Sequence, residues 1–245
     1  VYGTYTITEL KTEATRSMKM YTSTFTIDTD GKVLDLGTVN NVPMRIKTTL
    51  VDVNGEHFTE ATSTVTLTDH VAYKNLDTDK TYTLTGTLYV KDGDALTEMM
   101  TETVDFQPTE TSGTQDVTFT FDASELVGKS VVAFEELSVN GEFCAEHKDK
   151  DDENQTVTFP GIQTTARDNV TEDHVSNATD SITIVDTVAY TDLKKGDTYT
   201  VTGTLMDAET GEAALDDDGN AITASKECSA PSADGSIDIP FTFAG

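Results

Sequence analysis

Groups able to do acid–base or acyl chemistry concentrate in residues 133–160, AFEELSVNGEFCAEHKDKDDENQTVTFP. Alternation through AFEELSVNGEF sets Ala133, Glu135 and Leu137 on one face of a strand and Phe134 and Glu136 on the other. One acid is thereby aimed at a core, where a carboxyl must be paired or protonated and its pKa rises. The alternative is a sheet edge with both acids in water. His147, in CAEHKDKDDENQ, is either a base or a capped surface residue. The acidic run 149–153 reads as a Ca²⁺ loop or a solvated turn; it lacks the glycine and alternating ligands of an EF-hand, which favours the turn. Residues 216–218, in LDDDGN, have the composition of a hairpin tip. His57 and His174 recur in EHF and DHV at corresponding places, a pattern of a structural turn with no metal-ligand spacing around it. No metal and no cofactor is expected.

The elements that must hold these groups are strands. TYTITEL, STFTIDTD, STVTLTD, TYTLTGTLYV, DVTFTFD, QTVTFP, SITIVD, TYTVTGTLM and SIDIPFTF all alternate with period two between Gly, Asp and Asn turns. Thr occurs 46 times, mostly alternating with apolar residues, which describes sheets with one wet face rather than disorder. Only DASELVGK, residues 122–129, suggests a helical turn, with Asp122 or Ser124 as its cap. The expected fold is all-β: tandem immunoglobulin-like antiparallel β-sandwich modules arranged end to end.

An internal repeat sets the boundaries. DHVAYKNLDTDKTYTLTGTL (69–88) matches DTVAYTDLKKGDTYTVTGTL (186–205) at 12 of 20 positions. The match extends back to TTLVD (48–52) against TTARD (164–168) and forward to VTFTF against IPFTF. The expected modules are therefore 1–43, 44–160 and 161–245, with PGIQ as a short linker stiffened by Pro160. The second copy stops at FTFAG, about forty residues before the first one does, and residues 1–43 begin mid-pattern. A fragment of a longer polypeptide is the expectation, with strands supplied by neighbouring chains as the alternative.

Composition narrows the function. Sixteen Lys and Arg against 44 Asp and Glu leave a net charge of -28, so no cationic surface exists for a nucleic acid or an anionic membrane. No apolar run of about 18 residues is present, and VYGTYTITEL lacks the layout of a signal peptide. Cys144 and Cys228 lie 84 positions apart in different modules and read as small packed thiols, not a disulfide framework. An extracellular chain of such thin modules needs another staple.

VVAFEEL followed by EHKDKDDENQTVTFP resembles the ester-bond-forming stalk domains of Gram-positive surface adhesins, the VaFE-type repeats. TT-x-x-D and D-x-VAY-x-x-L…YT-x-TGTL resemble the same family, over 44–160 in full and 162–245 in part. The resemblance implies an autocatalytic cross-link in which a Thr hydroxyl attacks a Gln carboxamide and expels ammonia. Carried over, the nucleophile is Thr48, with Thr49 as rival because adjacent strand residues face opposite sides. The acceptor is Gln155, and Asp69, Glu135 and His147 are the acid–base groups. These residue types suit that chemistry, since a hydroxyl needs a base and two close carboxyls that share a proton can polarise an amide. In the second copy Thr164 and Asp186 correspond to Thr48 and Asp69, while counterparts of Glu135, His147 and Gln155 do not follow, so no bond is expected there.

GTYTITEL and DGKVLDLGTVNNVP resemble the back half of a CnaB-type domain, where an acid promotes a Lys–Asn isopeptide bond. By position Glu9 matches the acid and Asn41 the acceptor, with Asn40 as alternative; an amphipathic strand and an Asn turn explain the same residues. The implied function is a stalk segment of a cell-wall-anchored fibre outside a Gram-positive bacterium. Its partners would be adjacent modules of the same polypeptide and other copies in the fibre, not nucleic acid or membrane. Each molecule would react once, as maturation and not as an enzyme. The alternative is a module that binds a host glycan or protein, although the loops carry Asp, Gly, Glu and Thr in place of aromatic clusters. A hydrolase built on His147 lacks a G-x-S-x-G elbow, zinc motif or phosphate loop.

Overall fold

The computed structural model describes residues 1–244. Among them the regular elements are sixteen strands and three single 3₁₀ turns, as the Thr–apolar alternation dictates. The chain divides into two compact units, residues 1–123 with 130–157, and residues 124–129 with 158–245.

In the first unit β1 (Gly3–Thr8) and β2 (Thr22–Ile27) form an antiparallel hairpin. The following strands are β3 (Arg45–Lys47), β4 (Leu50–Asp52), β5 (Val65–Lys74), β6 (Tyr82–Asp92), β7 (Ala95–Phe106), β8 (Ser112–Phe121), β9 (Lys129–Val139), β10 (Glu142–His147) and β11 (Thr156–Phe159), of which Lys129 and the last two residues of β11 are counted with the second unit. One sheet gathers β3, β4 and β8 around β5, and the other runs β10-β9-β6-β7 with β11 also on β9. The burial follows the alternation. Leu67, Val71 and Tyr73 of β5, Leu84 and Leu88 of β6, Phe119 of β8 and Leu137 of β9 are all buried. Each such side chain stabilises the fold by about 1.5–3 kcal/mol. Asp69 and Glu135 sit on these same inward faces, fully buried.

Residues 1–43 pack with this unit. The Arg16 guanidinium lies 4.1 Å from the centre of the Phe143 ring, Lys11 Nζ donates to the Phe143 carbonyl at 3.1 Å, and Lys19 pairs with Asp77. Residues 122–129, expected to hold a helical turn, contain a 3₁₀ turn at Ser124–Leu126.

The second unit holds β12 (Gly161–Asp168), β13 (Ile182–Thr191), β14 (Thr198–Thr204), β15 (Thr223–Ser229) and β16 (Gly235–Phe243). They form a sheet β12-β13-β16 and a ribbon β14-β15. Val188, Ile237, Ile239 and Phe241 make its small core, with Val201, Leu205 and Cys228 partly buried against it. The repeat in sequence is a repeat in register: Ala166–Asp186–Ile239 lie side by side as Leu50–Asp69–Val117 do in the first unit. No helix among the described residues is long and apolar enough to cross a membrane.

Candidate functional site

The site grows from an interruption in an edge strand. Lys47 pairs with Ala72 and Leu50 with Asp69, and Thr49 exchanges backbone hydrogen bonds with His70 at 3.2 and 2.9 Å. Strand geometry then turns the N–H of Thr48 away from β5. It donates instead to His147 Nδ1 at 3.3 Å. The Thr48 side chain points inward and is fully buried, whereas Thr49 is only half-buried.

Gln155 arrives from the other sheet. The loop after β10 closes in a 3₁₀ turn, Glu153–Gln155, capped by Asp152, whose carboxylate accepts from the Asn154 amide at 2.9 Å. Asx caps of this kind satisfy an otherwise orphaned N–H and set the angle at which a short turn begins. The turn delivers Gln155 into the core, fully buried. Its Nε2 donates to Thr48 Oγ1 at 3.0 Å, to the Ala133 carbonyl at 2.8 Å and to the His147 carbonyl at 3.1 Å. Its Oε1 accepts from the Asp149 amide at 3.3 Å. Lys91 Nζ, donating to the Lys150 carbonyl at 2.9 Å, ties this loop to β6.

His147 Nδ1 also lies 3.3 Å from Thr48 Oγ1. The Thr48 amide donates to Nδ1, so the neutral ring is assigned its proton on Nε2 and an accepting lone pair on Nδ1, beside the hydroxyl. Burial holds the imidazole pKa below the usual histidine value, with Asp152 and Asp149 opposing and Lys47 adding to the fall. A neutral imidazole at ordinary pH is what a base needs.

The carboxyls complete the cluster. Glu135 sits opposite His147 across β9 and β10 and opposite Gly86 across β9 and β6. Asp69 comes from the facing sheet. None of their four carboxyl oxygens makes a well-formed hydrogen bond to the described residues. The Glu135 pKa is raised, first by burial and then by the neighbouring Asp69 charge. Asp69 is raised by burial as well, less far, because Glu135, the Thr48 hydroxyl and the Thr49 amide lie near enough to favour its charged form. Two carboxyls in one dry pocket cannot both ionise, so the pair retains a proton at neutral pH.

Thr48, Asp69, Glu135 and Gln155 are thus gathered in one buried cluster with the half-buried His147 at its margin, although they span 107 residues of chain from Thr48 to Gln155. Thr164 and Asp186 are placed on neighbouring strands of the second unit, Thr164 exposed and Asp186 half-buried with its pKa raised by burial. Glu9 and Asn41 differ in setting. The Glu9 carboxylate accepts from the Tyr21 amide at 2.9 Å, and Asn41 is exposed outside any strand. The run 149–153 is a turn, with Asp149 accepting from the Asp151 amide at 3.0 Å, and Asp216 accepts from the Asn220 amide at 2.8 Å in the tip at 216–220. His57 and His174 meet backbone carbonyls, of Thr156 at 3.2 Å and Ala166 at 2.8 Å.

Two contributors lie outside the residues that the motifs single out. A Cβ on Gly86 would overlap the Glu135 carboxyl and the Phe119 ring, so the glycine in TGTL makes the space that the acid occupies. The visible signal is a mid-strand glycine repeated at Gly203. The Asp149 amide is the second, a backbone donor that no side-chain pattern can reveal.

No curated protein matches the chain. Among solved structures, a bacterial adhesin from Mobiluncus mulieris containing intramolecular disulfide, isopeptide and ester bond cross-links is similar in two crystal forms. The first is 12% identical with a TM-score of 0.46, covering 76% of this chain and 99% of that one. The second is 14% identical with a TM-score of 0.45, covering 81% and 99%. The family model for the T-Q ester bond containing domain matches residues 44–159 and again 160–245. The chain therefore belongs to the T-Q ester bond containing domain family, in two consecutive copies.

Proposed function

We propose that residues 44–159 staple themselves with an ester between Thr48 and Gln155, and that the chain is a stalk segment of a surface adhesin. The observation that carries this reading is the Thr48 hydroxyl held 3.0 Å from the Gln155 amide nitrogen and 3.3 Å from His147 Nδ1, with Thr48 and Gln155 fully buried. His147 takes the hydroxyl proton as Thr48 Oγ1 attacks Gln155 Cδ. The negative charge that develops on Oε1 is met by the Asp149 amide, with the proton-sharing Asp69–Glu135 pair beside the Thr48 hydroxyl. The proton on His147 passes to the departing nitrogen, the C–N bond breaks, and ammonia leaves from among the Ala133 and His147 carbonyls. One ester and one ammonia replace a hydroxyl and a carboxamide, so atoms and charge balance. The fold supplies the proximity, which removes several kcal/mol from the barrier, and each chain reacts once without turnover.

The link joins the opening strands of the sandwich to its last, across a span in which a pulled chain would otherwise unravel. A staple of this kind suits a module outside the cell at a Gram-positive cell wall, where disulfides are not the only option and Cys144 and Cys228 are free. The charge of -28 keeps such fibres soluble and apart. Neighbouring modules of the same polypeptide are the expected partners. The test is the intact mass under denaturing, reducing conditions, followed by tryptic mapping. A deficit of one ammonia, with the peptides bearing Thr48 and Gln155 joined, is expected. The full calculated mass would refute the cross-link.

A further inference from the structure

We propose that Asp152 is a positioning residue for the cross-linking reaction, holding His147 in the tautomer and orientation that receive the Thr48 proton. The inference rests on the ester reading above and adds a residue to it. Asp152 uses its two carboxylate oxygens differently. Oδ1 accepts from Asn154 N and Nδ2, each at 2.9 Å, capping the turn that delivers Gln155. Oδ2 faces His147 Nε2 at 3.6 Å, with the two side chains 18% and 22% exposed. That separation is longer than a hydrogen bond and is a charge contact in the resting site; catalytic contacts of this length commonly tighten when charge develops.

The contact has a direction. His147 Nδ1 already faces the Thr48 hydroxyl and amide, so Nε2 carries the proton and points it at the carboxylate. When Nδ1 takes the Thr48 proton the ring becomes a cation, and Asp152 is the charge that stabilises it, in the manner of the buried acid behind a catalytic imidazole. One side chain therefore couples the placement of the electrophile to the state of the base. The other charged groups facing His147 are Glu135 across the strand pair, Asp149 in the same loop and Lys47 on β3. Asp149 is committed to its own turn through the Asp151 amide.

The test compares Asp152→Asn and Asp152→Ser in the full chain. Asn and Ser cap a turn about as well as Asp, so both keep the turn and remove the charge, and Ser also withdraws the atom that faces His147. The chain is made by cell-free translation with a short label, chased across a range of pH, and loss of ammonia is followed by intact mass. We expect both variants to react roughly 10- to 100-fold more slowly, the scale for losing a group that orients an imidazole. We also expect the acid limb of the rate profile to move to lower pH, because the carboxylate raises the His147 pKa and its removal lets it fall. Two variants that react at the wild-type rate would reduce Asp152 to a cap and overturn the proposal. Slowing with an unmoved acid limb would overturn it too, since the charge would then not act through His147. A wild-type chain that keeps its ammonia is a different failure, one that removes the ester reading itself.

Discussion

Replacing Thr48 by Val keeps the shape of the side chain and removes the hydroxyl that would become the ester. The size of the effect follows from the loop that the ester closes. The link spans the 107 positions between Thr48 and Gln155, and loop-closure entropy for such a length is worth about 5 kcal/mol in the unfolded state. The unfolding entropy of a module of about 116 residues is roughly 0.24 kcal/mol/K, so the loss lowers its melting temperature by about 20 °C. Gln155→Ala should fall further, because the Ala133 and His147 carbonyls lose their buried donor at about 1–3 kcal/mol. Thr48→Ser retains the hydroxyl and should stay cross-linked and near the wild-type melting point. The assay is calorimetry beside intact mass, with the transition of residues 158–245, which holds no link in this scheme, as internal reference. If the wild type has lost one ammonia, yet Thr48→Val melts within a few degrees of it, the entropic account is wrong.

Other perturbations act on the acids and on the space around them. Gly86→Ala pushes a methyl into Glu135 and Phe119; it should cost about 1–3 kcal/mol and slow or stop the loss of ammonia, and a variant that cross-links at the wild-type rate would show that the Glu135 position is not critical. The pH dependence of the unlinked chain reports the buried pair. Asp69 and Glu135 have raised pKa values when folded, so their contribution to stability is full below the unfolded carboxylate value of about 4 and is lost as pH rises through the folded values. Denaturant melts of Gln155→Ala should therefore show a falling limb above about pH 4 that is flatter in the double variant with Glu135→Gln. Parallel curves would mean that the pair does not hold its proton. A mass deficit of two ammonias would contradict the expectation that only the first copy reacts.

Much of the fold was legible because its elements depend on local pattern. Period-two alternation named the strands and set Glu135 and Glu136 on opposite faces, so that one acid would meet a core; the structure decides that it is Glu135, fully buried beside Ala133 and Leu137. The repeat carried register from one unit to the other, since the same residues make the same cross-strand neighbours. The residues of the site came from a resemblance in motif, not from alternation, because a single buried Thr among 46 looks like any other. Gly86 was visible only as an oddity, a glycine in a strand interior, and its reason lies on a different strand. Asp152 stood in an acidic run whose neighbours offered much the same composition.

That this chain is β-sheet, repeated, strongly acidic and furnished with an acid, a base and an amide in one short segment is written in its residues alone. Those properties follow from composition and from spacing along the chain, which a linear pattern records. Which Thr meets Gln155 was settled by tertiary structure. Thr49 is locked to His70 in the ladder, which turns Thr48 inward to the amide at 3.0 Å. The same holds for the carboxyls. Asp69 and Glu135 come from facing sheets, and only the packing of one sheet on the other brings two acids into a single dry pocket where they must share a proton.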